Sequence, residues 1–517
     1  MNKVLKGLVA VAATAAMAVA GFAGASTAMA DDSTGGIKVA DGDTHTYSVY
    51  QILTGTYGAN GALGNVQAGT NFKTENAAGD QGKDLTAAEA AEELAKIDSS
   101  KSDQEKLTEI LKFADLTAQY GSDLTASAPL TTVPAGYYLA KDKDDTVTGY
   151  DAQTLYIVRV VGNEDVTITR KADKPTLEKK VKDVNDSTGA KSGWQDSADY
   201  DVNDKVPFQL TATLPTGKED FAAYKTYKLV FTDNQSAGLT YPDATGFTVK
   251  YGETVVPASQ YTLTLNPTTT TADSTFTLTI NDVKSLKDAN GDAITVAEGG
   301  KFTVEYESTL NNKAVIGSNG NPNEAKLQYS NNPNYTGEGA NSPTGETPKD
   351  KVIVFTYQLD INKTFNGGTP DDSDLPEFTL YKFDSTTNDY TTNLGKMNIT
   401  KTTDGNYTAS FKRVDDGKYK LVETKTPAGF NTAADTIFEI TADHDVTSID
   451  PKLTSLKFNS TPGNTNTGTV VADVVNQKGS NLPSTGGMGT VLLYVAGIAV
   501  FVLAGATLVM ALRRRNA

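Results

Sequence analysis

The stretch YKLVETKTPAGF, residues 419–430, alternates like a strand before it reaches a Pro/Gly turn. Counting by two puts Tyr419, Leu421 and Glu423 on one face, so a carboxylate is aimed where the core should be. An ionised carboxylate buried without a partner is costly, so the strand reading requires Glu423 to meet a chemically suited group inside.

Two neighbouring stretches supply such groups. In VFTYQLDINKTF, residues 354–365, Tyr357, Leu359, Ile361 and Lys363 share a face, and in TVVADVVNQKG, residues 469–479, so do Val470, Ala472, Val474 and Asn476. An apolar site disfavours the charged forms of both Lys and Glu, which leaves a free amine and a neutral acid. The acid can donate to the Asn carbonyl while Lys363 attacks it and ammonia leaves, giving a Lys–Asn isopeptide bond. The same arrangement recurs upstream. PTLEKKVKDV (175–184) turns Lys179 inward with Leu177 and Val181, YKLVFTDNQSAGLTY (227–241) turns Asp233 inward with Leu229 and Phe231, and NEAKLQYSNNP (323–333) turns Asn323 inward. Asn321 and Asn331 are rivals to Asn323. In GYYLAKD, residues 136–142, Asp142 stands where Glu423 does, but no Lys and Asn accompany it and no third bond is expected.

The rest of the body is rich in Thr, Val, Tyr, Asn, Asp and Gly. VPFQLTATLP (206–215), YTLTLN (261–266), STFTLTI (274–280) and KFTVEYEST (301–309) read as strands, and the fold class is mainly β, built of β-sandwiches. The exception is a small helical insertion over 84–116, DLTAAEAAEELAKI followed by DQEKLTEILKFADL. Pro/Gly/polar stretches at 171–175 and 336–351 predict three domains, 31–172, 173–345 and 346–480.

The ends of the chain carry processing signals. Lys3 and Lys6, an apolar run from Leu8 to Phe22 and Ala28-Met29-Ala30 form a secretory signal peptide over 1–30. Leu482-Pro483-Ser484-Thr485-Gly486 precedes an apolar span, 488–512, long enough to cross a bilayer, and a basic tail, 513–517. The formal net charge of −17 falls to about −22 once both ends are removed, which disfavours nucleic acid as a partner. The chain has no cysteine, two histidines (His45 and His444, both in polar Asp/Thr-rich surroundings) and one tryptophan, Trp194. Disulfide stapling is excluded, a Ser-His-Asp or His-ligated metal site is hard to build, and nothing marks a sugar cleft. DVNDSTG (183–189) and DANGDA (288–293) lack the twelfth-position Glu of an EF-hand loop and read as turns, so no metal site or cofactor is expected.

With these residues in place, the chain resembles the sortase-assembled backbone (major) pilins of Gram-positive bacteria. Tyr419, Leu421, Glu423, Thr424, Pro427 and Gly429 match that family's E-box, with Phe430 in place of its Tyr, and the ends match its cell-wall sorting signal. The resemblance implies tandem immunoglobulin-like domains of the collagen-adhesin type with autocatalytic isopeptide bonds. It also implies cleavage by sortase between Thr485 and Gly486 and transfer of the threonine acyl group to a lysine of the next copy. VTITRK (166–171) is a partial match to the acceptor motif, lacking its Trp, Tyr and Pro; it offers Lys171, with Lys174 as the alternative. The partners implied are pilin-specific and housekeeping sortases, further copies of the chain, a minor or tip pilin and peptidoglycan, with a host glycan or matrix protein as adhesion ligand. The expected location is the cell surface, anchored to the wall as a fimbrium. A non-polymerised wall-anchored adhesin and an extracellular carbohydrate-active hydrolase are the rival readings.

Overall fold

The computed structural model describes residues 34–57, 63–73, 84–98, 100–143, 147, 149–170, 172–266 and 274–479. The signal peptide, Leu482, Pro483, Ser484, Thr485, Gly486, the span 488–512, the basic tail and Lys171 lie outside the described residues. Among the described residues no helix is long and apolar enough to cross a membrane. The chain divides into two compact units, one of residues 1–358, 412–417 and 439–470, the other of 359–411, 418–438 and 471–517.

The first unit begins with a four-stranded sheet in the order Leu63–Ala68, Tyr47–Tyr57, Gly136–Asp142, Ile157–Val161, and a three-stranded sheet in the order Leu130–Pro134, Thr34–Val39, Val166–Ile168. Alternation along Gly136–Asp142 serves two cores. Tyr138 and Ala140 join Ile37, Val39 and Val49, while Tyr137 and Leu139 join Ala90, Ala91, Leu94, Leu107 and Ile110 of the helical insertion. The expected helices are Ala87–Ala95 and Asp103–Ile110, the second continued by a 3-10 turn, Leu111–Phe113. Each starts at a capping box, Thr86 with Glu89 and Ser102 with Glu105, which satisfies the free N–H groups of the first turn.

Residues 176–355 of the same unit form a β-sandwich. One sheet runs Thr254–Val255, Thr248–Tyr251, Lys301–Leu310, Lys205–Thr213, Thr176–Val181. The other runs Ser197–Asp199, Asp350–Phe355, Asn321–Ser330, Leu229–Gln235, Ser274–Ile280, Thr262–Asn266. Phe208, Leu210, Phe302 and Val304 from the first sheet meet Phe231, Phe276, Leu278 and Leu327 from the second in one core, each fully buried. The four strands expected here all form, within two residues of their expected ends. A short helix, Lys218–Ala222, was not expected. In residues 439–470, strand Thr436–His444 pairs with Leu453–Phe458, Ile440 opposite Phe458 and Ala442 opposite Leu456.

In the second unit, Glu377–Asp384 pairs antiparallel with both Asp389–Asn398 and Gly417–Lys425. A four-stranded sheet has the order Thr400–Lys401, Tyr407–Val414, Tyr357–Asn366, Thr469–Gln477. Leu359, Ile361, Phe378, Leu380, Phe411, Tyr419, Leu421, Ala472 and Val474 are buried, and Tyr419 stacks on Phe438 with ring centroids 5.5 Å apart.

Candidate functional site

Strand alternation buries all six residues singled out by parity: Lys179, Asp233, Asn323 and Asn476 are fully enclosed, Lys363 is 1 % exposed and Glu423 6 %. In the first unit the Lys179 strand belongs to one sheet of the sandwich, and the Asp233 and Asn323 strands are neighbours in the other. Lys179 Nζ donates to Asp233 Oδ2 and, at 3.0 Å, to the hydroxyl of Tyr306. That hydroxyl accepts from Asn323 Nδ2 at 2.9 Å and donates to Asp233 Oδ1 at 3.0 Å. Tyr241, at the end of the GLTY segment, also donates to Asp233 Oδ1, at 2.7 Å. The Asn323 carbonyl oxygen is buried without a hydrogen-bond partner. Burial outweighs the nearby Asp233 charge and lowers the Lys179 pKa, which favours the free amine.

Asn321, one turn of the pleat away, is a satisfied structural residue. Its Oδ1 accepts from Val315 N at 2.8 Å and its Nδ2 donates to the Val315 and Val354 carbonyls, both at 3.1 Å. Asn331 lies beyond the strand, its Nδ2 directed at the Asp151 carbonyl 3.4 Å away. Neither rival touches Tyr306 or Asp233 in this way.

In the second unit Lys363 and Asn476 sit on adjacent strands of the four-stranded sheet. Asn476 Nδ2 donates to both carboxylate oxygens of Glu423 at 3.0 Å and to the Asn431 carbonyl at 2.7 Å, while Ala433 N donates to Glu423 Oε2 at 2.5 Å. Asn476 Oδ1, like its counterpart in Asn323, is buried without a partner. Lys363 Nζ donates to the Thr364 carbonyl at 2.8 Å and lies 4.1 Å from the centre of the Phe365 ring. Burial lowers its pKa to about 8, with the Glu423 charge opposing the shift. Phe430, the departure from the E-box, meets Phe365 edge-on at 5.1 Å.

Asp142 is buried as well, but it faces a histidine: His45 Nδ1 lies 2.6 Å from Asp142 Oδ1, and Thr154 N donates to Asp142 Oδ2 at 2.5 Å. His45 Nε2 is 3.0 Å from Asp151 Oδ2, which also receives Arg170. Burial raises the Asp151 carboxyl, but His45, the Ala152 N–H, Arg170 and Lys174 hold it down at about 2. Lys174, the alternative acceptor, is 41 % exposed in its side chain, with Nζ 3.5 Å from Asp151 Oδ1.

Tyr306 and Tyr241 escaped the sequence reading. Both had a legible signal: Tyr306 shares the inward face of Phe302 and Val304, and Tyr241 closes the segment that starts at Asp233.

Residues 202–333 match the family described as Gram-positive pilin backbone subunit 2, Cna-B-like domain. Over those residues the chain carries a domain of that Cna-B-like type. Its residues 375–453 match a second model, the prealbumin-like fold domain. Among curated proteins this chain is 35% identical over 147 residues to the trypsin-resistant surface T6 protein of Streptococcus pyogenes serotype M6, covering 27% of this chain and 25% of that one. It is 27% identical over 347 residues to fimbrial subunit type 2 of Actinomyces naeslundii, covering 61% and 58% respectively. The matched regions thus span about a quarter and somewhat over half of those two relatives. Among solved structures, the T6 backbone pilin of S. pyogenes, itself described as a modular three-domain protein, has a similar fold at a TM-score of 0.52 and 18% identity, covering 88% of this chain and 100% of that one.

Proposed function

We propose that this chain is a structural backbone subunit of a covalently polymerised surface pilus, and that Lys179–Asn323 and Lys363–Asn476 become intramolecular isopeptide bonds. The observation that carries this reading is the pairing of a buried, pKa-lowered lysine with an asparagine whose carbonyl oxygen lacks a partner, each beside a buried acid. The lysine amine attacks Cγ of the asparagine, the new C–N bond replaces the bond to Nδ2, and the proton lost by the amine leaves with Nδ2 as ammonia. Asp233 and Glu423, beside the reacting groups, shuttle that proton from the amine to the leaving nitrogen. The first bond joins the two sheets of the sandwich, and the second joins the neighbouring strands Tyr357–Asn366 and Thr469–Gln477. Exported by its signal peptide, the chain is cleaved by sortase after Thr485 and joined to Lys171 or Lys174 of the next copy, and the last copy is anchored to the wall.

Intact-mass measurement of the purified protein tests the intramolecular part. Each bond removes one ammonia, about 17 Da, so a deficit of about 34 Da is expected. It should fall by one step in Glu423→Ala and by the other in Asp233→Ala; an unmodified mass overturns the reading. Lys171→Ala and Lys174→Ala in the producing cell test the polymer: the true acceptor's loss collapses the high-mass ladder on a denaturing gel. A ladder that survives the double substitution removes both candidates.

A further inference from the structure

Asp183, Asp199 and His444 meet in the first unit, with one ligand atom from each within 4.8 Å of the others. His444 Nε2 stands 3.7 Å from Asp199 Oδ1 and 4.0 Å from Asp183 Oδ2. Those separations are too long for hydrogen bonds. They suit donor atoms spread around one small cation with bonds of about 2.0–2.2 Å.

The imidazole is oriented for that role. Ser197 Oγ donates to the Asp445 carbonyl at 2.6 Å, so at 2.7 Å from His444 Nδ1 it accepts the Nδ1 proton. The lone pair is then left on Nε2, facing the two carboxylates, which is how second-sphere partners set a ligating histidine. A buried polar atom adds a second indication: Asp199 Oδ2 has no hydrogen-bond partner although Asp199 is 2 % exposed. Asp415 and Asp416 present oxygens within 4.8 Å of Asp199 as well, which adds negative charge around the same point. The Asp183 side chain, 24 % exposed, gives the site an opening to solvent.

We propose that Asp183, Asp199 and His444 bind a divalent cation of the zinc class, held by two carboxylates and one imidazole with water completing the sphere. Such an ion would staple the link at Asp183, between strands Thr176–Val181 and Val184–Asn185, and the strand Ser197–Asp199 to the end of strand Thr436–His444, a cross-link available to a chain without cysteine. The competing arrangement is an imidazolium between carboxylates with no ion, and titration separates the two.

The full chain is stripped with EDTA and titrated with zinc chloride at neutral pH by calorimetry. A single saturable site is expected, at least about tenfold weaker in Asp183→Asn and in His444→Gln and unchanged in His45→Gln. Zinc should raise the melting temperature of the wild type and of His45→Gln but not of His444→Gln. Asp183 is partly exposed, so Asp183→Asn reports on the site even if His444→Gln folds poorly. Absence of saturable uptake, uptake unaffected by Asp183→Asn, or a preference for calcium that ignores His444→Gln each overturns the assignment.

Discussion

Lys363 shows how burial weakens an ordinary cation's hold on its proton. Its pKa of about 8 lies far below that of an unfolded lysine, so between pH 8 and 10.5 the unfolded chain holds a proton that the folded chain does not. The sign follows: in a variant that cannot form the bond, burying Lys363 costs stability below pH 8, and the cost fades as the pH climbs towards 10.5. Asn476→Ala should therefore melt at rising temperature between pH 8 and 10, relative to the double variant Asn476→Ala with Lys363→Met; equal slopes would contradict a depressed Lys363. In the first unit the corresponding control point is Tyr306, whose hydroxyl touches Lys179, Asp233 and Asn323 together. Tyr306→Phe removes that junction while keeping the ring, and formation of the Lys179–Asn323 bond should slow by about tenfold or more. Mass spectra taken during refolding would show the second 17 Da step, the one not dependent on Glu423, lagging behind the first.

At the level of the strand, the chemistry depends on parity. In Thr469–Gln477 the even positions Val470, Ala472, Val474 and Asn476 are buried, while Val471 and Val475 are exposed. Inserting one alanine between Val474 and Val475 turns Asn476 outward and leaves the strand length almost unchanged. The expected mass deficit is then about 17 Da instead of about 34 Da, with the Lys179–Asn323 bond intact. A retained full deficit would mean that the register does not govern the reaction. Strand Gly417–Lys425 obeys the same rule: Tyr419, Leu421 and Glu423 are buried, and the positions between them are not.

On the scale of the molecule, each proposed bond closes a loop of more than a hundred residues. By analogy with disulfide loop entropy, each contributes on the order of 5 kcal/mol. Glu423→Ala with Asp233→Ala should consequently lower the denaturant midpoint sharply and expose the chain to trypsin, whereas either single variant keeps one cross-link and shows an intermediate loss. Equal protease resistance in the wild type and the double variant would separate these bonds from mechanical stability.

Short-range order was written into the chain: alternation named the strands, the Thr86 and Ser102 caps placed the helices, and parity picked out six polar residues that the fold buries. Parity tells which face a side chain occupies and nothing about what stands opposite, because partners come from other strands, from 17 to 127 residues away among the strand-to-strand hydrogen bonds of the two sites. Packing of one sheet on the other was needed to bring Tyr306 onto Lys179, Asp233 and Asn323 together, while strand pairing and the preceding loop satisfy Asn321 through Val354 and Val315 and the Asn323 carbonyl stays without a partner. The same limit hid the pairings of the two histidines, since Asp142 and Asp151 reach His45, and Ser197 and Asp199 reach His444, across long separations that no local pattern encodes.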